Sequence, residues 1–173
     1  MAEKERTVTM HGTPVELTGT PVTTGDKAPD FEAAGNDLSP VRLSDFTGRV
    51  VVLLSVPSLD TSVCDQEARR FNKEAADLGE DVVVLVVSMD LPFAQQRWCG
   101  GNGIDRVLAV SDYKTAEFGR AYGVLMDDAR LLARAVWVLD RDGVVQYHEL
   151  VPEVAEEPDY ESALATARKL QAE

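Results

Sequence analysis

Two nearly continuous runs of valine and leucine, residues 50–56 and 82–87, frame a segment whose apolar residues fall at Cys64, Ala68, Phe71, Ala75 and Leu78. Steps of 4, 3, 4 and 3 along that segment draw a single stripe down one side of a helix. Strands apolar at almost every position are covered on both faces rather than one. A buried strand, an amphipathic helix and a second buried strand make a parallel pair with the helix packed across it.

The flanking sequence extends the unit. Strands over residues 7–10 and 15–18 flank His11-Gly12 and predict a short N-terminal hairpin. Turn residues occupy positions 25–30, and a short strand follows near 41–43. After the second run come a short helix over 92–98, a strand over 107–110 and a helix over 115–122. Strands over 133–139 and 144–149 are joined by Asp140-Arg141-Asp142-Gly143, a strong hairpin turn, and a helix over 160–170 ends the chain. The expected fold is α/β: a mixed sheet flanked by helices, preceded by a β-hairpin, in the order a thioredoxin-like fold requires. No repeat and no Pro/Gly/Ser linker divides the chain, so residues 1–173 are expected to form one domain.

Charge limits the partners. With 17 Lys+Arg against 30 Asp+Glu the chain carries −13, which repels phosphate backbones and anionic lipid. Neither nucleic acid nor a membrane surface is an expected partner. Residues 1–6 alternate in charge with no apolar stretch behind them, so no secretory signal is predicted. No apolar run approaches the roughly 20 residues of a membrane span. The expected location is cytoplasmic, where thiols stay reduced unless chemistry oxidises them. Two cysteines are also too few for a disulfide scaffold.

Where those cysteines lie therefore matters. Pro57-Ser58-Leu59-Asp60-Thr61-Ser62-Val63-Cys64 joins a buried strand to the amphipathic helix, at the end of the sheet where α/β folds bind ligands. Asp60, Thr61 or Ser62 can cap the helix, Asp60 being the preferred choice, and Cys64 then sits in the first turn. Free amides and the positive end of the helix dipole favour a thiolate there. Pro57 stiffens the loop, and the Thr61 hydroxyl can bond a sulfur or a peroxide oxygen. On position alone, a cysteine on an apolar stripe is more often a small buried hydrophobe. Asp65 and Glu67 oppose a thiolate, so a reactive Cys64 needs a cation. Arg69 and Arg70 are near in sequence. Arg134 is odder, being a charge inside the otherwise apolar segment 131–139.

Cys99 stands 99 − 64 = 35 residues after Cys64, too far for a CxxC motif. With only His11 and His148 in the chain, a Cys/His zinc site is disfavoured. A disulfide closing that loop would constrain the unfolded chain by roughly 4 kcal/mol, so a structural pairing stays open at this point. Gly100-Gly101-Asn102-Gly103 follows Cys99 and reads as a mobile stretch. Neither histidine is given a role. Phe93 and Trp98 read as core residues that could also wall a pocket.

Pro57…Thr61…Cys64, the upstream Gly25-Asp26-Lys27-Ala28-Pro29-Asp30-Phe31 and the downstream Arg134 resemble the peroxiredoxins. The fuller strings 57–64 and 90–100, with Leu132-Ala133-Arg134-Ala135-Val136 and Glu157-Pro158-Asp159-Tyr160, resemble the thiol peroxidase subgroup, an atypical two-cysteine class. The likeness runs from the hairpin to the last helix. It implies that Cys64 is the peroxidatic cysteine and Cys99 the resolving one, closing an intramolecular disulfide that thioredoxin reduces. It further implies that Thr61 and Arg134 hold thiolate and peroxide, that Pro57 shields the site, and that the enzyme is a homodimer acting on hydrogen peroxide and on alkyl or lipid hydroperoxides. Sulfur chemistry of this kind needs no metal, haem or flavin cofactor. The same two thiols would serve a non-enzymatic redox sensor, and buried inert thiols are the third reading.

Overall fold

The computed structural model describes residues 6–104 and 106–173. The predicted absence of a secretory signal concerns residues 1–6 and lies almost wholly outside them. Strands β1 (Arg6–Met10) and β2 (Thr13–Leu17) form the expected hairpin, with Val8 opposite Val15. His11 and Gly12 both take positive φ, 50° and 83°, as a tight hairpin turn demands. Strand β3 (Glu32–Ala34), which the sequence did not announce, pairs antiparallel with β4 (Pro40–Arg42), and a 3-10 turn over Leu43–Phe46 follows.

The βαβ unit is present as expected: β5 (Val50–Ser55), α1 (Ser62–Leu78) and β6 (Val82–Ser88), with every residue of both strands buried. Next come α2 (Pro92–Asn102), β7 (Val107–Ser111) and α3 (Glu117–Ala121). A two-residue ribbon, β8 (Leu125–Met126) against β9 (Leu131–Leu132), precedes β10 (Ala135–Leu139), β11 (Val145–Leu150) and α4 (Tyr160–Gln171). The main sheet runs β11-β10-β5-β6-β7-β3-β4, parallel across β5, β6 and β7 and antiparallel at its flanks. The mixed α/β sheet and its thioredoxin-like order follow the sequence expectation.

Alternation along the central strands divides the core in two. Val51, Leu53, Val83, Leu85 and Trp137 face a layer that holds α3, Phe31 and the N-terminal hairpin. Val50, Val52, Leu54, Val84, Val86 and Val136 face α1, α2 and α4, and Cys64 lies within this second layer with Cys99 packed against it. Both cysteines therefore sit on one side of the sheet.

Two expectations shift. The predicted strand 133–139 begins only at Ala135, whose partner Ser55 is the last residue of β5. Beyond that pair the neighbouring chain has left the sheet, so residues 133 and 134 find other partners. The helix expected over 92–98 continues to Asn102 and ends on Gly103 with φ 65°. The stretch expected to be mobile is the last turn of a helix. No helix among the described residues is long and apolar enough to cross a membrane.

Candidate active site

The parallel strands β5 and β6 end side by side, and each delivers a cysteine-bearing helix. Thr61, in extended conformation (φ −87°, ψ 148°), is the residue that caps α1. Its Oγ1 accepts from the Cys64 amide at 3.3 Å and donates to the Ser58 carbonyl at 3.0 Å. Asp60, the preferred cap on sequence grounds, is exposed, and its amide donates to Ser58 Oγ at 3.1 Å. The reason is one of reach: a cap side chain accepts from the amide two or three residues on, and Thr61 lies three before the Cys64 amide whereas Asp60 lies four before it. The Thr61 hydroxyl is thus spent on backbone, and it orders the helix start rather than bonding sulfur.

Arg134 supplies the cation. It is 1% exposed and its guanidinium is held on three sides. Nε donates to the Val154 carbonyl at 2.9 Å, Nη1 to Glu67 Oε2 at 2.6 Å, and Nη2 to Cys64 Sγ at 3.1 Å. Its backbone is pinned as well. The Val151 amide donates to the Arg134 carbonyl, the Ala133 amide donates to Val124, and Ser55 Oγ donates to the Ala133 carbonyl at 2.8 Å. A buried fork satisfied in this way cannot swing freely. Arg69 and Arg70, the cations near in sequence, turn elsewhere, to Asp65 and to Glu74 and Glu161.

Glu67, expected to oppose the thiolate, has a second tie that the sequence did not show. It is fully buried, and its Oε2 anchors Arg134. Burial pushes its carboxyl up to about 7 although the Arg134 charge pulls the other way. Burial alone would lower the Arg134 guanidinium, but Glu67 and the Cys64 sulfur outweigh it and raise it. A sequence signal existed: Glu67 is three residues past Cys64 and four before Phe71, so a charge stands on the buried stripe. Asp65 is engaged too, accepting from Trp98 Nε1 and Arg69 Nε at 2.8 Å each.

Cys64 has no exposed surface, while Cys99 on α2 is half-buried, and both thiols are free. Burial pushes the Cys99 thiol up from its ordinary value. Gly100 and Gly101, whose surroundings are open, weaken the turn that carries Cys99 by about 1 kcal/mol each relative to alanine. Trp98 is core, as expected, but Phe93 is 62% exposed and is not in the lining of the pocket at the start of α1.

At the start of α1 lies a pocket of about 200 Å³ lined by Pro57, Thr61, Val63, Leu131 and Arg134, and by Met10 and His11 of the hairpin and Val154 of the loop after β11; Cys64 itself is not in its lining, and Arg134 links the two. Pro57, Thr61 and Arg134 are thus brought together at one opening. Sequence reasoning missed the hairpin and the 152–155 segment. They are stitched to each other by Thr9 amide to Pro152 carbonyl at 2.7 Å and Val154 amide to Thr9 carbonyl at 2.9 Å. Another cavity, about 140 Å³ between Lys27, Leu43, Arg49 and Asp140, lies at the amino end of β5 with no thiol near it.

The Redoxin family profile matches residues 23–164. Among curated relatives, a thiol peroxidase of Oceanobacillus iheyensis is 51% identical over 162 residues, covering 94% of this chain and 98% of that protein. A thiol peroxidase of Bacillus subtilis is 50% identical over 163 residues, covering 94% and 97%. Among solved structures, a peroxiredoxin-like protein from Aquifex aeolicus superposes with TM-score 0.89 at 41% identity, covering 95% of this chain and 97% of that one. A thiol peroxidase from Chromobacterium violaceum superposes with TM-score 0.85 at 18% identity over 96% and 97%, a likeness of fold.

Proposed function

The chain belongs to the redoxin family and is a thiol peroxidase, an enzyme that reduces hydroperoxides at the expense of a thiol reductant, and from that premise we propose that Cys64 is its peroxidatic and Cys99 its resolving cysteine. The observation that carries this reading is the Arg134 Nη2 to Cys64 Sγ bond of 3.1 Å, made by an arginine that also lines the pocket. One guanidinium thereby meets both the nucleophile and the space its target would enter.

In the first step the Cys64 thiolate attacks one peroxide oxygen, and the O–O bond breaks. Alcohol or water leaves after taking up a proton, and Cys64 becomes a sulfenic acid. Arg134 faces the charge that develops as that bond breaks, and the ordered amides at the start of α1 assist it. Pro57 keeps bulk water off the sulfur. In the second step the Cys99 sulfur attacks the Cys64 sulfur and releases water, leaving a Cys64–Cys99 disulfide. Thioredoxin then supplies two electrons by dithiol exchange and restores both thiols. Met10, Val63, Leu131 and Val154 make the pocket walls apolar, which suits organic hydroperoxides alongside hydrogen peroxide. A homodimer in the cytoplasm completes the proposal, and sedimentation at twice the chain mass is its check.

The deciding experiment is coupled turnover of peroxide with thioredoxin, thioredoxin reductase and NADPH. The wild type turns over, Cys64→Ser consumes no peroxide, and Cys99→Ser undergoes a single oxidation without recycling. Reversed behaviour of the two variants would exchange their roles. A single stoichiometric oxidation in the wild type would make the protein a sensor instead.

A further inference from the structure

One carboxylate stands between the two cysteine segments without touching either sulfur. The ends of β5 and β6 are neighbours, Ser55 lying opposite Val87, and Asp90 is the second residue past β6. Its Oδ1 accepts from Ser58 Oγ at 2.7 Å, and its Oδ2 accepts from the Leu59 amide at 2.9 Å and Ser88 Oγ at 2.7 Å. Toward Cys64, the Ser58 carbonyl accepts from Thr61 amide and hydroxyl, and that hydroxyl accepts from the Cys64 amide. Toward Cys99, Ser88 Oγ accepts from Gln95 Nε2 at 3.0 Å. Gln95 is fully buried on α2, one turn before Cys99, and its Nε2 also reaches the Val110 carbonyl at 2.8 Å. Ser111 Oγ donates to the Asp90 carbonyl. A continuous line of hydrogen bonds therefore joins the amide of one cysteine to the helix of the other, and Asp90 is its centre.

That line is intact in the dithiol arrangement described here. Cys64 has no exposed surface and its sulfur is bonded to Arg134, so on this proposal the helix ends leave their seats for Cys99 to reach it. Moving the 57–60 loop away from the start of α2 breaks the bonds to Asp90. We propose that Asp90 is a positioning residue that latches both cysteine segments in the peroxide-reacting arrangement, and that release of this latch limits disulfide formation.

This inference rests on the Cys64–Cys99 reading, and it predicts how the sulfenic acid is partitioned. In one fate the Cys99 sulfur displaces hydroxide, which leaves as water, and the disulfide forms. In the other a second hydroperoxide transfers an oxygen to sulfur, giving a sulfinic acid and an alcohol. The peroxide concentration at which the two products are equal measures how fast the latch opens.

Rapid-quench oxidation of the reduced protein, with products separated by mass, supplies the test. Disulfide is read as loss of two hydrogens and sulfinate as gain of two oxygens. Asp90→Asn gives up the charge and one of three acceptor contacts, so disulfide formation is expected to speed up roughly tenfold, equivalent to ~1.4 kcal/mol. The equal-product peroxide concentration rises by the same factor. Ser58→Ala removes one arm only and shifts both readings in the same direction by about threefold. A residue that merely adds stability lowers the melting temperature and leaves that concentration where it was. If the wild type forms no Cys64–Cys99 disulfide, the two-cysteine reading itself fails. If the wild type forms it and both variants resolve no faster, the latch is refuted while the enzyme reading stands. Should Asp90→Asn not fold, Ser58→Ala alone decides.

Discussion

Replacing Arg134 by lysine separates two accounts of what the arginine does. Lysine keeps the positive charge but loses the planar fork. In the native site three nitrogens of one group serve Val154, Glu67 and Cys64 at 2.9, 2.6 and 3.1 Å. A single ammonium drawn to the buried Glu67 carboxylate leaves sulfur and peroxide without their aligned donor. A hydrogen bond to a charged group is worth about 1.5–3 kcal/mol, so the rate with peroxide should fall roughly 10- to 150-fold. If Arg134 served only to ionise the sulfur, the effect would have a ceiling. A thiol of ordinary pKa, about 8.5, is a few per cent ionised at neutral pH, and full ionisation gains only roughly 10- to 30-fold. A more acidic thiol is also a weaker nucleophile, with a Brønsted slope near 0.4–0.5. Alkylation by iodoacetamide reads thiolate alone, whereas peroxide reduction reads thiolate and alignment together. Arg134→Lys should therefore lose several times more rate toward peroxide than toward iodoacetamide. Equal losses in the two assays would refute an aligning role, and near-wild-type peroxide reduction would refute any role.

Glu67→Gln leaves the buried guanidinium without its anion, and urea unfolding should register a loss of about 3 kcal/mol together with slower peroxide reduction. Thr61→Val, which keeps the shape but removes the cap, should cost about 1 kcal/mol and slow the peroxide step, while Thr61→Ser should restore both. Asp112 accepts from the Phe118 and Gly119 amides at 3.0 and 2.9 Å, and burial raises its carboxyl to about 6. A carboxyl raised on folding stabilises the native state below its unfolded pKa, and that contribution is lost as pH climbs through the folded value. Wild-type stability should decline from about pH 4 to pH 6 by something on the order of 3 kcal/mol from this group. Asp112→Asn should flatten that decline in denaturant titrations, and parallel profiles for the two proteins would count against the assignment.

Local chemistry made much of the architecture readable. The two valine-rich runs, the stripe from Cys64 to Leu78 and the Asp140–Gly143 turn each carry their own signal, because period and turn preference are properties of adjacent residues. Even the boundary errors follow this logic. β10 starts at Ala135 because β5 supplies no partner beyond Ser55, a fact about another strand. β3 was missed because three residues, Glu32–Ala34, are too few to show alternation. The cap went to Thr61 over Asp60 because one residue of register decides which side chain reaches the Cys64 amide.

The sequence by itself determined the fold class, the position of Cys64 at a helix start and the oddity of a charge at 134. It could not say what that charge was for. Arg134 is 70 residues from Cys64 and 67 from Glu67, and these three meet only because β10 pairs beside β5 on the face that α1 covers. The hairpin and the 152–155 segment became pocket walls, and Asp90 came to lie between two cysteine segments, for the same reason. Helical stripes and turns are set by neighbours along the chain, whereas a site assembled from strand ends is set by strand order. That order is fixed only when the whole core is packed.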